Sequence, residues 1–442
     1  MSLKAGSSVV LINPEIGDDL CGQFHRRFVE YIRDNLEANA FYLADESEQV
    51  LIINLDLAGL LLTSYVREAC DDIEAATGVP ARNVIINNTH THDAPDTLGL
   101  LLDAPKNDVY LAKLRVWLVE AAKAAIASAR PARVGWASGE AHIGYNRRVC
   151  WADGSHTMYG DTSRPDFTGI EGPDDPSHTV FFALDEADKP IAILHSNCCH
   201  ATCMESEKFA SADFPGEARS LLRGTFGQDL PVLYLQGASG DISPWDQLHP
   251  GHHDTERRAK EIGALLAAET MRLIYAAKTT DSPIFRHAYE DVAIGVRLPE
   301  PADLAHAREM AALGEEKAGR FEYINSVSGV LRLYDTYKDN PIDMLAVHAV
   351  RIGDYAIITN PCELYCRFGL DIKHRSPAAV TAVSQLSDGF SGYCPTIPAL
   401  MGGGYSAFAI YWCRLETYAG YKIVEASAKL LHDLWPIGEV NA

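Results

Sequence analysis

Val84-Ile85-Ile86-Asn87-Asn88-Thr89-His90-Thr91-His92-Asp93-Ala94-Pro95 runs from a short apolar segment straight into a pair of histidines. Valine and isoleucine are stiff at χ1 and pack well on a pleated surface, so Val84–Asn87 reads as a strand buried between two layers. Residues i and i+2 of an extended chain point the same way. His90 and His92 are therefore expected to face one cavity at the strand's C-terminal end, where open α/β sheets hold their ligands. Neutral imidazole is a good zinc ligand, and His-x-His is a common way of presenting two. Two surface loop histidines would explain an isolated pair about as well.

Similar apolar runs recur at Ser8–Leu11, Val50–Leu55, Thr179–Leu184, Ile191–His195, Val232–Leu235, Leu345–Ile352 and Ala356–Thr359. They are short, rich in Val, Ile and Leu, and read as strands. Longer stretches with helical periodicity lie among them: Ser64–Ala76, Val109–Ser128, Gly216–Arg223, Thr255–Ala276, Pro301–Leu313 and Val424–Leu434. The one at Thr255 opens like a capping box. This alternation predicts an α/β fold, a layered mixed β-sheet flanked by helices. No Pro/Gly/Ser linker divides the chain, so a single catalytic domain spanning residues 1–442 is expected. Asp153–Pro176 is the longest irregular stretch and reads as a loop over a site.

Four further segments carry residues with chemistry. Leu194–Cys203 places His200 and three cysteines after an apolar strand. Adjacent Cys198 and Cys199 are poorly spaced for one tetrahedral metal, so these thiols read as small buried hydrophobes and His200 as the ligand candidate. Gln236–Trp245 is a Gly/Ser-rich turn carrying Ser243, able to aim backbone N–H groups at an oxyanion or to serve as a plain capped turn. Ile357–Glu363 is a strand and a Pro turn, with Glu363 expected to open a helix, either as dipole compensation or as a metal ligand. Gly389–Thr396 contains Tyr393, which by itself reads as a packing residue with a wet hydroxyl.

Composition narrows the classes. With 47% hydrophobic and 22% charged residues the chain of 442 is an ordinary globular protein. Its 38 basic and 60 acidic residues leave a net charge of −22, with no basic stripe for nucleic acid and no attraction to an anionic membrane. No apolar run approaches the ~20 residues that span a bilayer. Met1–Gly6 lacks the apolar region of a signal peptide, and many of the ten cysteines crowd the candidate site. Both observations point to a reducing, cytoplasmic setting. The sequence is compatible with a homo-oligomer.

Taken in order, the segments resemble the neutral/alkaline ceramidase family. Thr89–Pro95 is similar to the family's Thr-His-Thr-His-Ser-Gly-Pro, His200-Ala201-Thr202 to its His-x-Thr, and Gly240–Trp245 to its Gly-Asp-Val-Ser-Pro-Asn. Pro361-Cys362-Glu363 is similar to its Pro-Gly-Glu, and Gly392–Thr396 to its Gly/His-Tyr-x-x-Thr. Weaker likeness at Leu51–Leu60, Tyr145–Arg147 and Met344–Asn360 extends the resemblance over about Ser7 to Leu434. The resemblance implies Zn2+ held by His90, His200, Glu363 and Tyr393, with Ser243, His92 and Arg147 as catalytic groups. Attack by Ser243 and attack by a metal-activated water both stay open.

The chain stops about eight residues after its last expected helix, so the immunoglobulin-like C-terminal domain of secreted ceramidases is expected to be absent. Two departures from the family stand out. Asp93-Ala94 replaces Ser-Gly, which sets a carboxylate against His92 to raise its pKa or orient its ring. Trp245-Asp246 replaces the Asn after Ser243-Pro244 and alters a pocket wall. No exposed amphipathic helix is evident for meeting a membrane. The expectation is a zinc-dependent hydrolase of a carbon–nitrogen amide bond, its substrate a small-molecule amide or lipid-like N-acyl compound other than ceramide. A metal-dependent esterase and a non-catalytic binding homologue are the alternatives.

Overall fold

The computed structural model describes residues 3–61, 63–101, 103–104 and 106–436. Its strands form three principal sheets, and each sheet contains one parallel pair. In the first, β1 (Lys4–Leu11), β2 (Glu37–Ala44), β3 (Gln49–Leu55) and β4 (Val84–Asn88) run in the order β4-β3-β2-β1, with Arg130–Pro131 at the edge. Only β3 and β4 are parallel there, Ile53 opposite Ile86. The second orders β5 (Arg133–Glu140), β6 (Ser177–Leu184), β7 (Pro190–Asn197) and β8 (Val232–Gln236) as β8-β7-β6-β5, with β7 and β8 parallel. The third orders β9 (Phe285–Gly295), β10 (Ile342–Ile352), β11 (Tyr355–Thr359) and β12 (Val380–Ser384) in sequence, with β11 and β12 parallel.

Side-chain alternation explains the layering. Along β3, Leu51, Ile53 and Leu55 pack with Val66 and Ile73 of α1 (Thr63–Thr77) and with Leu114 and Leu118 of α2 (Asp108–Ala127). Val50 and Ile52 point the other way. They join Phe181, Leu194 and Leu233 of the second sheet and Val350 and Ile357 of the third in one shared core. Helices α3 (Asp213–Phe226) and α4 (Thr255–Ala276) cover the outer face of the second sheet, where Phe214, Ile262 and Leu266 meet Tyr234. Beyond α5 (Pro301–Leu313), helices α6 (Cys366–Arg375) and α7 (Ala419–Leu434) cover the third, with Phe368, Ile423 and Leu431 against Leu345 and Val347. Each such aliphatic burial is worth about 1.5–3 kcal/mol, which is what turns three half-apolar sheets inward.

The mixed α/β class expected from the alternation is observed, with its strands shared among three sheets. Every expected strand and helix is present, two helices (Thr255–Ala276 and Pro301–Leu313) with the expected ends and the others with ends shifted. Four long strands escape the sequence pattern: β2, β5, β9 and β12. β2 reads Glu-Ala-Asn-Ala-Phe-Tyr-Leu-Ala, poor in β-branched residues, and is a strand because both neighbours pair with it. The cap of α4 is Asp254, whose side chain accepts from the Arg257 N–H, so the expected box at Thr255 gives way to a simple N-cap. Asp153–Pro176 is less irregular than expected: His156–Met158 and Phe167–Ile170 pair on either side of Arg148–Trp151. Among the described residues no helix is long and apolar enough to cross a membrane.

Candidate metal centre and active site

The C-terminal ends of the three parallel pairs meet. Asn54 on β3 donates to Asn87 on β4 (2.7 Å) and to the Tyr234 carbonyl on β8 (2.9 Å), and Asn87 donates to Ser384 on β12 (3.4 Å). All five segments singled out in the sequence leave from these ends: Thr89–His92 after β4, Cys198–His200 after β7, Gly237–Ser243 after β8, Asn360–Glu363 after β11, and Gln385–Tyr393 after β12. Chain topology alone therefore delivers them to one place.

The backbone at His90 is not extended. It sits at φ 66°, a left-handed conformation uncommon outside glycine, so the same-side argument for a strand does not apply. The turn nevertheless brings His90 Nε2 to 3.4 Å from His92 Nε2. The donor atoms of His90, His92 and His200 lie within 4.8 Å of one another. Glu363, expected in a first helical turn, lies instead on a short strand, Cys362–Leu364, before α6 begins at Cys366. Parallel pairing of that strand with Gly392–Cys394 sets Glu363 opposite Tyr393.

Proton positions follow from the hydrogen bonds. His90 Nδ1 donates to the Ala58 carbonyl and His200 Nδ1 to the Ser239 carbonyl, each at 2.6 Å. Both imidazoles are thereby fixed as the tautomer with a lone pair on Nε2, the orientation that outer partners give to metal-ligating histidines. Burial, reinforced by the nearby Arg147 guanidinium, pushes His200 well below its ordinary value, so it is neutral. Its Nε2 then faces a Glu363 oxygen at 3.1 Å, and that same oxygen lies 3.6 Å from His90 Nε2. Burial works to raise the Glu363 carboxyl, but its imidazole contacts outweigh this and hold it well below the carboxylate range. The Nε2 atoms of both imidazoles and the Glu363 carboxylate thus converge as acceptors in a buried site, an arrangement that a cation between them would satisfy. The donor set of imidazole, imidazole and carboxylate, with phenol close by, fits zinc.

Arg147 and Tyr393 close one side. Arg147 is buried and donates from Nη2 to the Gly240 carbonyl (2.9 Å) and to the Tyr393 hydroxyl (3.3 Å), with the same nitrogen 3.0 Å from His200 Nε2. Its Nη1 donates to the Tyr159 hydroxyl at 3.1 Å, and the Tyr159 N–H donates back to the Arg147 carbonyl at 2.7 Å, so the 153–176 segment reaches the site here. Burial, with Glu363 adding to it, pushes the Tyr393 hydroxyl well above its ordinary value. Ser243 lies on a two-residue strand paired with Tyr145–Asn146, next to Arg147, and its Oγ accepts from the Trp245 N–H at 3.1 Å.

The carboxylate on His92 is a different one from that expected. Asp93 turns away to the buried Arg27, 3.0 Å from its Nη1. It is Glu205 that meets His92, with 3.3 Å between Oε2 and Nδ1. Burial lowers the His92 pKa, with Glu205 opposing, so the expected rise is replaced by a fall. Arg27 also donates to the carbonyls of Cys21 and His92 (2.7 Å each), which makes it the clamp on this segment. Sequence reasoning misses Arg27 and Glu205, since nothing local marks either, and marks Asp241 only as a turn residue. The Asp241 carboxylate accepts from Asn146 Nδ2 and the Cys366 N–H (2.7 Å each), and its carbonyl from the Arg147 N–H (2.8 Å). It thereby ties three site segments together. The thiols behave as small buried groups, with Cys198 donating to the Ala238 carbonyl.

A cavity of about 70 Å³ opens from His90, His92 and Glu363 toward Phe24, Tyr405 and Trp412. Fold and site together define a mixed α/β protein with a buried imidazole–carboxylate centre at its strand ends. Among solved structures the chain is similar to neutral ceramidase from Pseudomonas aeruginosa, with 16% identity, 98% of this chain and 75% of that chain covered, and a TM-score of 0.74. A ceramidase structure complexed with C2 aligns with the same identity and coverage and a TM-score of 0.75. At that identity the likeness is one of fold. The sequence matches no family profile and no curated protein.

Proposed function

We propose that the protein is a zinc-dependent hydrolase that cleaves the carbon–nitrogen amide bond of a small or moderately polar N-acyl compound. The observation that carries this reading is the pair of Nε2 lone pairs of His90 and His200 converging on the Glu363 carboxylate, each ring locked by a backbone carbonyl. His90, His200, Glu363 and Tyr393 would hold the metal. Zinc, when bound, supplies a Lewis acid that polarises the scissile carbonyl. Arg147 presents N–H donors that stabilise charge developing on that carbonyl oxygen. His92, neutral through burial and held at Nδ1 by Glu205, takes a proton from the attacking hydroxyl and returns it to the leaving amine. Ser243 supplies the essential hydroxyl. The likeness of fold to ceramidases supports amide chemistry. The cavity is far below the roughly 300–1,000 Å³ of sites that enclose larger ligands, which favours a substrate other than ceramide. Ten free cysteines, nine of them buried, accord with a cytoplasmic setting.

The test is a panel of N-acyl amides and matching esters with zinc-loaded protein, alongside metal analysis. Turnover of amides with about one zinc per chain is the expected result. Turnover of esters alone, or a chain that takes up no zinc, overturns the reading.

A further inference from the structure

The far wall of the cavity is built by a loop that the catalytic reading does not use. Asp19–Leu20 pairs with Arg27–Phe28 in a small hairpin, and its tip, Cys21–Arg26, lies across the site. Its base is fixed to the chain leaving the metal centre: the Cys21 N–H donates to the Ala94 carbonyl (3.0 Å) and the Asp96 N–H to the Asp19 carbonyl (2.8 Å). Gly22, at φ +94°, lies so close to His92 that a Cβ there would fall 2.3 Å from the imidazole Nδ1. The tip is held from outside by Arg320, whose Nε donates to the Phe24 carbonyl at 2.7 Å.

The Phe24 side chain occupies the mouth. Its ring centroid lies 5.4 Å from Tyr405 and 6.1 Å from Trp412 on the inside, and 5.3 Å from the exposed Phe321 on the outside. Tyr405 in turn packs 5.6 Å from Tyr393. An aromatic line thus runs from the metal centre to solvent, with Phe24 as its half-buried stopper. Between it and the polar groups of the centre the cavity is walled by the apolar side chains of Leu98, Phe390 and Trp412, and it measures only about 70 Å³. A chain of methylenes would suit these walls, but the ring of Phe24 stands where the chain would continue.

We propose that Phe24, on the Cys21–Arg26 loop, is an acyl-length gate that restricts this site to short N-acyl groups. The inference rests on the amidase reading for the metal centre but concerns the shape of the chamber, which can be measured without turnover. With the ring in place, acetyl- and butyryl-sized groups fit. Without it the chamber runs out past Phe321, and longer chains gain apolar contact, roughly fourfold in affinity for each methylene admitted.

The experiment is calorimetric binding of acetyl, butyryl, octanoyl and dodecanoyl hydroxamates to zinc-loaded wild-type protein, Phe24→Ala and Phe24→Leu. Zinc content and thermal melting of each variant are checked first. Wild type should bind acetyl or butyryl hydroxamate best and lose at least ~10-fold by octanoyl, while Phe24→Ala should reverse that order. Should Phe24→Ala fail to fold, the wild-type ladder and a partial shift in Phe24→Leu carry the test. Wild type binding dodecanoyl as tightly as acetyl hydroxamate overturns the gate. So does a folded Phe24→Ala with an unchanged cutoff, or a zinc-holding wild type that binds none of the ladder. A length cutoff in binding without hydrolysis of any amide would sink the amidase reading and keep the gate. Equal hydrolysis of short and long amides would do the reverse.

Discussion

Glu363 and Tyr393 stand directly opposite each other in a parallel pair of three-residue strands, so two groups distant in sequence reach the candidate metal centre as one unit. Partners in register project to the same face. The pairing needs Gly392, opposite Cys362, at φ +75°, since a Cβ there would come within 2.4 Å of the Trp412 carbonyl oxygen. Geometry at the centre is therefore held by backbone as much as by the ligands.

Substitution on that pair should show in metal affinity. Glu363→Gln is expected to weaken zinc binding by at least ~100-fold. Gly392→Ala leaves every ligand intact, yet should cost about 10–100-fold by shifting Tyr393, the size of effect seen when supporting groups are lost. Competition with a fluorescent chelator reads both, and unchanged affinity in Gly392→Ala would refute the backbone argument.

His92 and Ser243 are assigned to chemistry and not to metal retention. His92→Ala and Ser243→Ala should keep about one zinc per chain while kcat falls by roughly 10²–10⁴. Undiminished turnover in Ser243→Ala would demote it to a turn residue.

Arg27 and Asp93 form a pair with 2% and 0% side-chain exposure. Arg27→Met removes one partner of a buried charge pair and should cost about 3–5 kcal/mol in denaturant unfolding. A loss below about 1 kcal/mol would mean that water or another group satisfies Asp93.

Acid should destabilise the fold through His178, which burial lowers from 6.5 to about 4, with Glu269 opposing. Its neutral form donates or accepts at Thr270 Oγ1, 2.8 Å away. Because the folded-state value lies below the unfolded one, this contribution is fully present above pH 6.5 and is lost as pH falls towards 4. The shift corresponds to roughly 3 kcal/mol, and His178→Gln should flatten the stability profile over that window. An identical profile in the variant would exclude His178 as the source.

Much of the centre is legible in the amino-acid sequence. His90, His200 and Glu363 each follow a strand that the residue pattern identifies, and Tyr393 lies in a motif read by resemblance. The cysteines read correctly as buried thiols. The local backbone is less legible: the left-handed turn at His90 and the strand at Glu363 arise from contacts with Ala58, Leu57 and the Gly392–Cys394 strand, none of which is adjacent in sequence. The same holds for β2 and β9, which become strands by being paired.

By itself the sequence determined eight of the buried strands and the chemical groups that lie just beyond them, because apolar periodicity is a local record of burial; the strands poor in that pattern, such as β2, came only from pairing. Only the tertiary structure decided that Glu205 rather than Asp93 meets His92, that Arg27 clamps the loop, and that Phe24 stops the cavity. Those outcomes depend on how three sheets pack around one core, and a side chain's reach across that packing leaves no trace in its neighbours along the chain.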